Sequence, residues 1–255
     1  MEAFIAVAAE PATLAMLAAV FVAGTLRGFA GFGAGLVFIP VAGALIGPRA
    51  AVIVLWAIDS LPTLPILLPA LRHADYRSVL PAVLGTAIAI PFGVHVLATL
   101  DPVLLRWGMS VVVVVLVILL FSGMRFEGPR RRASAFGVGL IGGVLGGATQ
   151  LSGPPMVVYW MSGTEAAARI RANLIVFFAF GTVLSGIAFY FNGIFSAESL
   201  MRAAIGTPVY FAALMTGQRL FSLASERAFR AVAITLIVMA AIVSLPVFDG
   251  MLRPQ

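Results

Sequence analysis

The amino-acid sequence predicts an all-α integral membrane protein of two inverted five-segment repeats, each with a re-entrant or broken helix hairpin. Three observations lead there: an apolar composition, a ladder of apolar segments of two lengths, and a pattern that recurs in the second half. Of 255 residues, 62% are hydrophobic and 10% charged, with a mean hydropathy of +1.10. Soluble chains are about 25% charged, so this chain lacks the residues to coat a water-facing surface. Its apolar runs are too continuous for the alternation of a membrane β-barrel.

The segments fall at about 11–27, 34–46, 50–70, 78–98, 103–122, 135–149, 154–163, 171–191, 197–216 and 228–248. A helix needs ~20 residues to cross ~30 Å of hydrocarbon. The second and seventh segments are too short, reaching only ~15–20 Å at 1.5 Å per residue. Each follows a break, "GFAGFG" before one and "TQLSG" before the other.

The recurrence is seen in three places. Gly28 and Gly147 open the two breaks, 119 residues apart. "LGT" at 84–86 is matched by "IGT" at 205–207, offset 121. "LDPVLLRWGMSVVVV" from Leu100 resembles "ASERAFRAVAITLIV" from Ala224, offset 124, with Arg106 on Arg230. The expectation is one transmembrane domain over 1–255, with repeats at about 8–122 and 135–248 and a cytoplasmic linker at 123–134. Five segments per repeat invert the second repeat, as in many secondary transporters.

All sixteen basic residues are arginine. With the linker in the cytoplasm, Arg72, Arg77, Arg125, Arg130, Arg131, Arg132, Arg169, Arg171, Arg219, Arg227 and Arg230 lie inside. Arg49, Arg106, Arg202 and Arg253 lie outside, which satisfies the positive-inside rule. Both termini are then external to a bacterial inner membrane. The pI near 11.0 reflects this anchoring, and no nucleic-acid partner is expected; an oligomer is compatible with the chain. There is no cysteine, and His73 and His95 lie in no metal-spaced cluster, so neither metal nor cofactor is expected. Paired carboxylates and a Ser/His pair are missing, which argues against an enzyme. The start, "MEAFIAVAAEP", has no basic leader and does not read as a cleavable signal peptide.

The breaks carry the functional expectation. "GFAGFGAG" does not have the spacing of a dinucleotide loop and follows no strand. Irregular backbone at membrane depth is tolerated where it is buried in protein or lines a wet cavity. In the second break Ser152 or Gly153 can cap a helix whose first turn holds Pro154 and Pro155. In the first, Gly33 or Ala34 starts the matching half-helix. A helix N-terminus carries about half a positive charge, so two of them aimed at one centre would hold an anion without a basic side chain. The glycines at i, i+4 spacing (Gly24/Gly28 and Gly139/Gly143/Gly147) also suit close helix packing.

These motifs, "GFAGFGAGLVFIP" and "GGVLGGATQLSGPPMVVYW", resemble the sulfite exporter TauE/SafE family, also called the toluene-sulfonate uptake permeases, over nearly the whole chain. Ala34 between Gly33 and Gly35 departs from the family's triple-glycine form. The resemblance implies secondary transport of a small sulfur-containing anion, sulfonate or sulfite, in either direction. On that reading Gly31, Phe32, Gly33 and Ala34 hold the head group together with Gln150, Leu151, Ser152 and Gly153. Arg27 either pairs with the anion or reaches an interface or Asp59. Tyr159 and Trp160 either wall the site or belong to the core. Asn173 caps its helix or reaches the site. Asp59, the acid deep in a span, is the candidate for proton coupling or for a structural ion pair. An anion channel, or a transporter of another small organic anion, is the alternative.

Overall fold

A computed structural model describes residues 2–30, 32–122, 131–163 and 165–221. Gly31, linker residues 123–130 with Arg125 and Arg130, and the expected tenth segment at 228–248 lie outside this set. Among the described residues the chain is helical throughout: α1 (Glu2–Ala9), α2 (Pro11–Ala30), α3 (Ala34–Ile46), α4 (Pro48–His73), α5 (Tyr76–Thr99), α6 (Pro102–Phe121), α7 (Arg132–Thr149), α8 (Gly153–Met161), α9 (Ala167–Phe191) and α10 (Ala197–Phe221). The helix α1 had no counterpart in the expected segments. Stretches of α2, α5, α6 and α9 are long and apolar enough to cross a membrane.

Local chemistry explains the boundaries. Prolines open α2, α4 and α6, where their missing N–H is not needed. The Asp101 carboxylate accepts from the N–H groups of Val103 and Leu104 at 2.8 and 3.2 Å and so caps α6. The short α3 ends at Gly47 with φ 87° and α7 at Gln150 with φ 57°, backbone turns that stop a helix. Gly28 and Gly147 lie inside α2 and α7. They therefore do not open the breaks, which begin three residues further on in each case.

The chain forms two compact units. Unit 1 takes Met1–Ile58, Leu100–Val117 and the chain from Phe195 onward; unit 2 takes Asp59–Thr99 and Ile118–Ile194. Neither unit is one half of the sequence. Unit 1 pairs α2 with α10, and unit 2 pairs α7 with α5. In both pairs glycine lets one backbone touch the other. A Cβ on Gly28 would overlap the Leu214 carbonyl, and one on Gly217 the Thr25 carbonyl. In unit 2, Gly147 meets the Ile90 carbonyl and Gly93 that of Val144. Contact positions rise together along both helices, so each pair is parallel.

The two seams correspond residue by residue. Adding 119 on α2 and subtracting 124 on α10 turns Gly28 on Leu214 into Gly147 on Ile90, and Gly24 on Tyr210 and Ala213 into Gly143 on Thr86 and Ala89. Further along, Gly139 lies on Ala82, whereas its equivalent Val20 lies on Gly206: the small residue has changed sides. The offset on α5 and α10 is thus 124. The "LGT" and "IGT" tripeptides, read at 121, are not equivalent in the seam. Thr86 donates to the Gly139 carbonyl across the α5/α7 seam at 2.9 Å, while Thr207 bonds within α10 to Ala203.

One buried cation in unit 1 is held by several partners. Arg202, buried on α10, reaches Glu10 at 2.5 Å, Glu198 at 2.6 Å and the Thr13 hydroxyl at 3.2 Å. This fastens α10 to the α1–α2 junction.

Candidate functional site

In unit 2 the break between α7 and α8 is a tight hairpin. Ser152 lies beside Gly146, Met156 beside Gly142, and the Tyr159 hydroxyl is 3.4 Å from that of Ser134. Contacts that advance on α8 while receding on α7 mean that α8 folds back along α7. Glycine at 142 and 146 leaves room for this return. The turn itself is made by Gln150, a non-glycine residue in the left-handed region. Such a backbone costs roughly 1–2 kcal/mol for an L-residue. Part of that is offset locally, because the Gln150 amide donates to the Gly146 carbonyl at 2.8 Å.

The start of α8 is buried at Leu151 and Gly153 and half-buried at Ser152. Ser152 occupies the N-cap position but makes no cap bond with its hydroxyl. Pro154 and Pro155 remove two of the N–H donors that a helix start normally presents. The dipole remains, but the backbone donors left near the turn are those of Ser152 and Gly153. The Phe178 ring lies at Gly153 and a Cβ there would sit 3.4 Å from it. Phe178 was not foreseen as a neighbour; the "VFF" run on α9 was its only trace in the sequence.

In unit 1 the start of α3 is built differently. Gly33 is the N-cap, with φ 94°, a conformation open to glycine. Leu26 and Leu36 close around it. The helix that follows is apolar on every side and buried from Ala34 through Pro40. It packs on α2. No side chain caps α3 or α8, and neither has an acid in its first turn. Phe32 is half-buried beside the turn, and Arg27 is half-buried in the last turn of α2.

The remaining candidates fall elsewhere. Trp160 is 0% exposed and Tyr159 2%. Both belong to the core of unit 2 with Met156, Val176 and Phe177. The Trp160 indole donates to Ser78 at 2.9 Å, and its ring meets Phe177 edge-on. Of the two roles open to them, their burial supports the core. Asn173 neither caps α9 nor joins the α8 start. Its Oδ1 accepts from the Asp75 N–H at 2.7 Å, tying α9 to the α4–α5 junction. Asp59 is half-buried on α4, where that helix enters unit 2.

A chain of apolar helices, some of spanning length, with a short buried helix that folds back on its predecessor, is an integral membrane protein. The profile described as Sulfite exporter TauE/SafE matches residues 16–244. The chain belongs to that family, and is a transporter and not an enzyme. It is 28% identical over 205 residues to the "Probable sulfite/organosulfonate exporter TauE" of Cupriavidus necator, covering 74% of this chain and 76% of the relative. No solved structure matches it.

Proposed function

We propose that this protein carries sulfite or a small organosulfonate outward across the cytoplasmic membrane, with Asp59 as the coupling acid. The observation that carries the reading is the pair of uncapped starts, at Gly33 and at Ser152–Gly153. Both lie on short, buried helices with no acid in the first turn. A compact oxyanion satisfies such donors and dipoles without a buried counter-charge. The matched seams support two repeats, at about 8–122 and 135–248, within one transmembrane domain. The names of the family and of the relative support sulfite or sulfonate as cargo and export as direction. The arginine distribution supports external termini.

On this reading Phe32–Ala34 in unit 1 and Leu151–Gly153 in unit 2 are each a helix start able to hold an oxyanion head group, flanked by Arg27 and Gln150 respectively. The Ser152 hydroxyl is the side-chain donor best placed for it, since the Gln150 amide already serves Gly146. The test is sulfite and benzenesulfonate binding, and flux in proteoliposomes. A lost hydrogen bond to a charged group is worth ~1.5–3 kcal/mol, so Ser152→Ala should weaken binding about tenfold or more. Asp59→Asn should abolish pH-driven flux and leave binding intact. If Ser152→Ala and Gly33→Val both bind as the wild type does, the anion is not held at these helix starts.

A further inference from the structure

Unit 2 has a cavity of about 860 Å³ between the C-terminal part of α4 and the beginning of α9, lined by Arg72, Arg169 and Arg171 among others. It is separate from the α7–α8 turn, whose residues do not line it. Its charge is lopsided. Asp75 is the acid in its wall, and one Asp75 oxygen already accepts from the Arg77 N–H at 3.1 Å. Glu165 lies outside the lining. The Nδ1 of His73, also in the wall, is 2.8 Å from the Pro69 carbonyl. Among the described residues no carboxylate pairs with any of the three arginines.

Arg72 ends α4, where the helix dipole favours a cation, but the other two arginines stand where a helix disfavours them. Arg169 and Arg171 follow the N-terminus of a 25-residue helix that has no acid in its first turn, so the positive end of the macrodipole adds to their own charge. Arg72 faces the same space from another helix. Repulsion among three guanidiniums and a helix start is relieved by a bound anion. The rest of the wall is apolar, with Pro65, Pro69 and Ile175 among its residues. A bare inorganic ion would fill a small part of such a volume.

We propose that this cavity is a second anion site, one that takes a tetrahedral sulfonate or phosphate head joined to an apolar body. Guanidinium pairs suit such heads because they can bond two oxygens at once, and the proline and isoleucine surface receives the body. The ligand comes from one of two sources: an organosulfonate in solution or a phospholipid of the surrounding bilayer. Basic pockets near the cytoplasmic ends of helices bind phospholipid heads, and a sulfonate offers the same oxygens. The site does not depend on where the transported anion is held.

The experiment uses the full-length protein after detergent delipidation. One arm titrates benzenesulfonate by calorimetry; the other measures phosphatidylglycerol retention by native mass spectrometry, with phosphatidylcholine as control. The double substitution R169Q/R171Q should weaken at least one ligand by tenfold or more, and R72Q should weaken the same ligand. R169K/R171K, which keeps the charge but not the two-oxygen geometry, should restore only part of the loss. All three arginines are exposed, so the variants should keep the wild-type melting temperature. Benzenesulfonate sensitivity assigns the site to a dissolved anion, and phosphatidylglycerol sensitivity assigns it to lipid. If neither ligand responds to the substitutions, the site is overturned. If neither ligand responds to the arginine substitutions while benzenesulfonate binding falls in Ser152→Ala, the transport reading stands and this one fails.

Discussion

Gly143 and Gly137 lie on the same helix and should respond oppositely to alanine. At Gly143 a new Cβ would sit 2.7 Å from the Thr86 carbonyl oxygen and 2.8 Å from the Ala89 Cβ, where ordinary contact begins at 3.4 Å. The nearest obstacle is backbone, so no side chain can swing aside. The helices must part by roughly 0.7 Å to regain ordinary contact, which also stretches the Thr86–Gly139 hydrogen bond. Overpacking of this kind costs about 1–3 kcal/mol. Replacing helical glycine returns roughly 1 kcal/mol of backbone propensity. The net for Gly143→Ala is a loss of about 0–2 kcal/mol by these two figures, against a gain at an open site. At Gly137 a Cβ meets nothing within 4 Å, so only the favourable ~1 kcal/mol remains. Thermal unfolding of the purified protein, followed by tryptophan fluorescence, reads both. At ~2–4 °C per kcal/mol for a chain of this size, Gly143→Ala should melt lower and Gly137→Ala higher than wild type. A Gly143→Ala protein as stable as Gly137→Ala would refute the claim that the α5/α7 seam is closed backbone to backbone.

Three other outcomes can be checked in the same assay. Trp160→Phe should cost about 0.5–1.5 kcal/mol for its bond to Ser78, with anion affinity unchanged; a large loss of affinity would return Trp160 to the site. Arg202→Met should cost about 1–2 kcal/mol by leaving the buried Thr13 hydroxyl without its donor, most of the ionic part being screened because Glu10 and Glu198 are 41% and 54% exposed. Equal melting temperatures would mean that Arg202 does not fasten α10. Gln150→Ala should be less stable by about 1 kcal/mol, because it keeps the left-handed turn and loses the Gly146 bond. Gln150→Gly should lie close to wild type, and the reverse order would show that the turn stores no strain.

Helix positions were readable from the sequence because length and apolarity decide them. The segment expected at 34–46 is α3 residue for residue, and prolines and aspartates marked most of the other starts. The i, i+4 glycines identified a face built for close approach, but such a face does not say which helix it meets. That α2 would take its partner from α10, and α5 from α7, depends on contacts between distant parts of the chain. The "LGT"/"IGT" match failed for the same reason: three similar residues fitted a register that the packing does not use. At the α8 start, Ser152 and the two prolines were legible as a helix opening. The left-handed Gln150 was not, because nothing in a glutamine announces that conformation. Tyr159 and Trp160 were read by adjacency to the break, but nearly two turns of helix carry them from it into the aromatic core.

The glycine faces of α2 and α10 have a consequence for synthesis. The helix made near the beginning cannot close its backbone contact until one of the last described helices has left the ribosome, so for most of translation its grooved side must be shielded by lipid or a chaperone. A product truncated before Ala197 would leave that groove bare, and a second copy ending at the same point could not fill it. Quality control of this protein should therefore be most sensitive to loss of its C-terminal quarter, even though the α7–α8 turn would be present.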